Sequence, residues 1–441
     1  MQQQYFYELA DFAQGKLQAN EIFTAYLAGE ESDFCRLNGG KVRQAGSVHQ
    51  DQLSLRLISG RRHAEGTIGL SGIKDEDRCR VVDLCGILRS QIAELPEDPY
   101  LLYATDVCSS ERRCPNQLQD AREVIQRIVP RVQGQDMVGI YASGAVHRGF
   151  ANSFGQRNWF ETYSFHLDWS FYLRADKAVK TGYGGFVWSD DDFDRKVESA
   201  RQQLAVLDKE PRTIKPGRYR VYLAPQALNE VADMLTWGGF SLKAHKTKQT
   251  PLIKMVEAGT RLNSGVTLRE NTAAGLSPDF NSSGFTKPAQ VTLIEGGTYK
   301  DCLVSPRSAK EYAAKTNGAS DAETPQSLEL GAGTLPTEDI PQLMGDGVYL
   351  NNLWYLNFSD RPACRVTGMT RFASFWVEKG RIAQPLNVMR FDESVLRMLG
   401  DKLVGLTKER EMILSADTYG QRSTNSVTLP GAVVEDFSFT L

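Results

Sequence analysis

The stretch from residue 33 to 70 constrains the fold most, because apolar and polar residues alternate along it, as in Val48-His49-Gln50-Asp51-Gln52-Leu53-Ser54-Leu55-Arg56-Leu57. Successive side chains on a strand point to opposite faces, so the pattern predicts an antiparallel sheet with one buried and one wet face. Asn38-Gly39-Gly40 supplies residues that accept positive φ in a tight hairpin turn. Upstream, Tyr5, Leu9, Phe12, Leu17, Ile22, Phe23 and Tyr26 recur at helical spacing, which predicts a helix over residues 5–28.

The same order then returns. Helical patterns at 75–94 and 117–130 are followed by strand-like segments from Met137 to Trp188, turning at Ser153-Phe154-Gly155, and by a helix from Ser189 to about Asp208. Helix, meander and helix occurring twice suggests a duplication. Ser189 followed by Asp190-Asp191-Asp192 places a capping hydroxyl and three carboxylates at the positive end of that last helix, so the acidic run is a cap rather than a metal site. Pro211 and Pro216-Gly217 then break the pattern. The expected architecture is α+β: an N-terminal domain of helices and antiparallel β-meanders over residues 1–212, and a β-rich domain over 217–441. The second should open with a strand at 218–224 and a helix at 226–240, and carry its longest loop at 315–340.

With 41% hydrophobic and 24% charged residues, the 441-residue chain has enough apolar surface to bury cores without a disulfide or metal scaffold. A net charge of −3 offers no general attraction to nucleic acid or anionic lipid, and Lys243, His245, Lys246 and Lys248 fit a solvated loop. No run approaches the roughly 18 apolar residues of a spanning helix. Residues 1–20 lack the apolar core of a secretion signal. Seven scattered cysteines without a C-x-x-C pair fit free thiols in a reducing compartment. A cytoplasmic protein with no membrane and no direct nucleic-acid partner is expected.

Common catalytic motifs are absent. The chain has no G-x-x-x-x-G-K-[ST], G-x-G-x-x-G or G-x-S-x-G, and none of its five histidines is followed by Glu. His166-Leu167-Asp168 puts an imidazole and a carboxylate on one strand face, where they could orient a base, but no nucleophile goes with them and a polar sheet face fits better. Glu295, Asp346 and Glu378 are the candidates for paired carboxylates. Cys302 and Cys364 are the candidate nucleophiles, although Cys302 in an apparent strand fits a small buried apolar residue better.

An ordered set of short motifs carries more. Leu293-Ile294-Glu295-Gly296-Gly297-Thr298-Tyr299-Lys300, continuing through Ser308-Ala309 to Thr316-Asn317-Gly318, resembles the segment "L-I-E-x-G-x-L-K…S-A…T-G-N" of the TldD/PmbA peptidase family. Gly345-Asp346-Gly347-Val348-Tyr349, Thr367-Gly368 and Val377-Glu378-Lys379-Gly380-Arg381-Ile382…Pro385 are similar to its "G-I-Y…S-G-x-F…L-I-E-N-G-x-I…P" block. Arg36-Leu37-Asn38-Gly39-Gly40 resembles its "R-x-N-D-G" hairpin. Asp279-Phe280-Asn281-Ser282-Ser283-Gly284 stands where an acidic "F-D-D-E-G" turn is usual, with two acids missing.

Zinc-binding members of that family use an H-E-x-x-x-H helix and a cysteine near the C terminus, where the metal lowers the pKa of bound water. The matching helix here is Gln226 to Met234, with Asn229 in the place of the first ligand, Glu230 retained, Asp233 following and no histidine. The last cysteine is Cys364, well before the block from Gly420 to Gly431 where the ligand would stand. The resemblance therefore implies a PmbA/TldE-like chain without catalytic or metal-binding residues and without a cofactor, with Asn229, Glu230 and Asp233 as a degenerate motif. It would act with a TldD-like zinc subunit, as a heterodimer or larger assembly or alone as a homodimer, on unfolded peptides. A self-sufficient hydrolase, with cysteine as one option, and a standalone peptide-binding protein are the alternatives.

Overall fold

The computed structural model describes residues 3–174 and 177–441. In the first half the elements are α1 (Gln3–Gln14), β1 (Glu21–Asn38), β2 (Lys41–Ser59), β3 (Arg62–Leu70), α2 (Lys74–Glu94), β4 (Ser110–Arg113), α3 (Ala121–Arg131), β5 (Asp136–Asn152), β6 (Arg157–Arg174), β7 (Lys177–Gly185) and α4 (Asp190–Leu207). Helix, three-stranded meander and helix thus occur twice, and the meanders join through β1 and β5 into one antiparallel run, β3-β2-β1-β5-β6-β7, with β4 added parallel to β6.

The expected helix over 5–28 is corrected. It stops at Gln14, a turn closes at Asn20 with φ 67°, and residues 21–28 begin β1. Phe23, Ala25 and Leu27 alternate into the core there. In this span the β-branched and aromatic residues satisfy the period of a strand once paired with β2 and β5.

Residue parity organises the sheet. Odd-numbered residues such as Phe23, Leu27, Leu55, Met137, Tyr141, Leu167 and Trp169 are buried under the helices. All four helices pack on that face: α1 and α2 over β1–β3, α3 and α4 over β5–β7. Two of these helices are capped as their sequences suggest, Asp120 accepting from Arg122 and Glu123, and Ser189 from the Asp192 amide. Even-numbered residues, among them Glu30, Phe34, Arg36, Ile140, His166, Asp168 and Lys180, occupy the opposite face, which no helix of this half covers.

The second half contributes β8 (Gly217–Leu223), α5 (Pro225–Thr236), α6 (Leu242–Lys246), α7 (Ile253–Ala258), β9 (Leu268–Glu270), β10 (Val291–Glu295), β11 (Thr298–Tyr299), α8 (Pro306–Glu311), β12 (Ser327–Leu330), α9 (Ile340–Met344), β13 (Gly347–Asp360), β14 (Arg365–Glu378), β15 (Arg381–Pro385), β16 (Arg390–Ser394), α10 (Val395–Met398), β17 (Leu403–Leu414) and β18 (Ser426–Phe439). Among the described residues these strands form an eleven-stranded mixed sheet whose central member, β18, pairs with β12, β16, β17 and β8. The fold is α+β, with an antiparallel N-terminal sheet and a β-rich C-terminal half. The segment 315–340 is less loop-like than expected, since β12 lies inside the sheet. The helix expected over 226–240 ends at Thr236, where Gly238 turns the chain with φ +84°.

The two halves clasp across the even face of the N-terminal sheet. The turn at Asn281 to Gly284 drives Phe280 into a fully buried cluster with Phe150 and Phe160. Gln156 donates to the Gly284 carbonyl at 2.8 Å, and the Ala104 amide donates to the Ser283 carbonyl at 2.9 Å. Further along that face, the 415–425 segment crosses β1, β5 and β6. Its Arg422 is buried, and the Arg422 Nη1 donates to the Gly144 carbonyl at 3.2 Å. Gln421 donates to the Ala28 carbonyl at 3.0 Å, and Gln50 donates to the Gly420 carbonyl. Among the described residues, no helix is long and apolar enough to cross a membrane.

Candidate functional site

α5 starts at Pro225, whose fixed φ and missing N–H suit a first helical position. Its apolar face, Ala227, Leu228, Val231, Ala232, Met234 and Leu235, is buried against the C-terminal sheet. The polar residues Gln226, Asn229, Glu230 and Asp233 recur three and four apart, so they share the opposite side. That side faces a cavity of about 400 Å³ whose far wall is β6 and β7, with His166, Asp168 and Lys180. Ser415, Ala416, Asn425, Ser426 and Val427 close it. Asn229, Glu230 and Asp233 therefore share one space with Asn425, Ser426 and Val427 of the C-terminal segment.

The electrostatics of the cavity follow from burial. Glu230 is an exposed residue of the cavity wall, although the protein around it displaces part of the water at its carboxyl. That loss of water, with the neighbouring Asp233 charge, raises its carboxyl pKa, and Lys180 partly offsets the rise. Burial likewise raises Asp168, although Lys180 Nζ lies 3.6 Å from its carboxylate. His166 is 4% exposed, and burial together with the Arg422 charge pushes it down to about 4, so its imidazole is neutral at pH 7. Its Nε2 is buried with no hydrogen-bond partner.

A second, more open cavity of about 1,090 Å³ continues from the first, since Asp168 and Lys180 line both. Its floor is the even face of the N-terminal sheet, with Phe34, Arg36, Val138, Ile140 and Tyr172, and its rim includes Phe372 and the segment Ala416 to Gly420. The two together form a groove lined by both polar and aromatic side chains. Nothing in the local sequence marked Lys180 or Arg422; they belong to the site only through strand pairing and the loop crossing.

The other candidates separate. Cys364 is fully buried and burial lifts its thiol to about 12; burial also lifts Cys302 to about 11. Neither lines the groove, and Cys302 lies in a half-buried loop rather than the expected strand. Glu378 pairs with Arg212 at 3.5 Å and Glu295 with Lys300 at 3.4 Å, while Asp346 accepts from the Lys379 amide at 2.7 Å. Four strands of the sheet separate Glu295 on β10 from Glu378 on β14, so these acids do not form one pair. Among the described residues, no three His, Cys, Asp or Glu side chains converge in a way that could hold a metal ion.

Residues 216–441 match the family model described as the PmbA/TldA metallopeptidase C-terminal domain. Over 99% of its length the chain superposes on 100% of TldE from Thermococcus kodakarensis, with a TM-score of 0.81 at 15% identity. A protein described as a DNA gyrase modulator from Thermotoga maritima matches with a TM-score of 0.76 at 13% identity, covering 99% of each chain. Another so described, from Bacteroides thetaiotaomicron, gives 0.71 at 14%, covering 99% of this chain and 98% of that one. No curated protein sequence matches. The family model spans just over half of the chain, and the solved structures share its fold from end to end: the chain belongs to the PmbA/TldD family.

Proposed function

We propose that this chain is a PmbA/TldE-like subunit that binds unfolded peptides and acts in an assembly with a TldD-like zinc peptidase. The observation that carries the reading is the cavity between α5 and the 415–427 segment, since neither element contains a histidine or a cysteine. Scaffold and cavity persist where the groups that would hold an activating metal are lacking. The groove over the even face of the N-terminal sheet, about 1,090 Å³ and of mixed polarity, supports the peptide-binding reading. Its neighbour, residues 41–50 of β2, is a strand edge exposed at nearly every position, to which a peptide backbone can add hydrogen bonds with little sequence preference. A hydrolase resting on Cys302 or Cys364 is disfavoured by their raised thiol pKa values and their distance from the groove lining.

A stable heteromeric interface should bury at least ~1,000 Å², enough for copurification. The test is to mix the chain with a TldD-like subunit carrying H-E-x-x-x-H and to assay an unstructured peptide. Activity of the pair but not of this chain alone is expected; cleavage by this chain alone would overturn the proposal.

A further inference from the structure

We propose that residues 416–420, in the first limb of the loop between β17 and β18, form a lid that closes over the groove when a peptide is bound, turning about Gly420 and laying the Tyr419 ring on the peptide. This rests on the peptide-binding reading above and adds the residues that retain the peptide.

Leu414 pairs with Ser426, so the two ends of the 415–425 loop lie side by side, and the loop is a compact excursion of the kind that often carries function. Its limbs are fastened differently. In the second limb Arg422 is 3% exposed and donates to Gly144 and Ser164, while Gln421 donates to Ala28. In the first limb the hydrogen bonds stay local: the Asp417 amide donates to the Ser415 hydroxyl at 3.3 Å, and the Tyr419 amide to the Asp417 carboxylate at 2.9 Å. Among the described residues, the one hydrogen bond that reaches residues 416–420 from outside the loop runs from Gln50 to the Gly420 carbonyl. A segment with so few outside bonds opens at low cost. Gly420 stands where the limbs meet, at φ +77°, and a Cβ there would meet nothing within 4 Å. Glycine takes that φ without strain, and the open space around it lets the first limb swing while the second stays tied.

Tyr419 is 95% exposed, more than any other large apolar side chain among the described residues, and neither its ring nor its hydroxyl has a partner among them. Ala416 to Gly420 line the groove together with Phe34, Tyr172 and Phe372. Ala45 to Val48, on the exposed part of β2, line it too, so a peptide added to that edge enters the space that the limb bounds. A tyrosine ring offers a large contact area at little conformational-entropy cost, because it has few bonds to freeze. The chain alone leaves that area in water, and a peptide in the groove is placed to cover it.

Two measurements on the full chain with one labelled, unstructured peptide free of aromatic residues test this. The peptide should dissociate about ten-fold faster from Tyr419→Ala than from the parent chain, since a lost contact shows mainly in the off-rate, and Tyr419→Phe should keep the parent rate. Tyr419→Ala should melt as the parent does, because the ring is exposed. Chymotrypsin should cut the free chain after Tyr419, and saturating peptide should slow that cut about ten-fold by depleting the open form. An unchanged dissociation rate in Tyr419→Ala, or a cut that the peptide does not slow, overturns the lid and leaves peptide binding standing. No binding by the parent chain overturns both.

Discussion

Arg422 and Ser164 come from opposite halves of the chain, yet the Arg422 Nη2 donates to the Ser164 hydroxyl at 2.7 Å and to its carbonyl at 2.8 Å. The guanidinium is buried on the even face of the N-terminal sheet, where burial pushes it down to about 10. It ties to that sheet the segment that walls both cavities. Gly144, whose carbonyl accepts from Arg422, lies tight against β1: at φ +143° a Cβ there would come within 2.1 Å of the Glu31 carbonyl.

Arg422→Met removes these donors and leaves buried acceptors unpaired. A loss of about 2–3 kcal/mol is expected, read as a lower midpoint in urea. Peptide affinity should fall as well, because the groove wall is released. A change within about 0.5 kcal/mol, the usual scatter of surface substitutions, would mean the segment is held by other contacts.

His166 gives the chain a signed pH dependence. Its folded pKa of about 4 lies below the ordinary 6.5, so the unfolded chain binds the proton first as pH falls. Its contribution to stability is full above pH 6.5 and is lost as the pH drops from about 6.5 through 4. The shift corresponds to about 3 kcal/mol at most. Denaturation at pH 7 and pH 4.5 should show a smaller difference for His166→Leu than for the parent chain; equal slopes would place the histidine in a wetter site.

Gly284→Ala should loosen the clasp. The glycine has φ +86°, and a Cβ would approach Phe150 within 2.6 Å. Backbone strain and overpacking together predict a loss of about 2–4 kcal/mol. Limited proteolysis should then cut earlier between residues 275 and 290, and an unchanged pattern would count against the clasp.

Thiol chemistry separates the cysteines. At pH 8 a maleimide probe should label the exposed Cys79 and Cys108 and spare the buried Cys364, whose thiol lies near 12. Cys302→Ser should leave peptide binding intact. Rapid native labelling of Cys364, or lost binding in Cys302→Ser, would reopen the cysteine reading.

Much of the architecture was legible because it rests on local patterns. Alternation at 48–57, the Asn38-Gly39-Gly40 turn and the Ser189 cap each state their structure in a few residues. The helix assigned over 5–28 went wrong where Ile22, Phe23 and Tyr26 satisfy both periods and only pairing with β2 and β5 decides. Asn229, Glu230 and Asp233 could be placed on one helix face from spacing alone. Their convergence with His166, Asp168 and Lys180 could not, because it depends on how a sheet of the first half meets a helix of the second. Arg422 was invisible for the same reason, since its partners lie 258 or more positions away in sequence.

The central claim is that this chain contributes binding surface rather than hydrolysis. The most direct measurement is cleavage of one unstructured peptide by the chain alone, by a TldD-like subunit with an inactivated H-E-x-x-x-H glutamate plus this chain, and by the intact pair, each at micromolar concentration. The account predicts a complex in both mixtures and cleavage only by the intact pair. Turnover by this chain alone, or by the mixture with the inactivated partner, would contradict it.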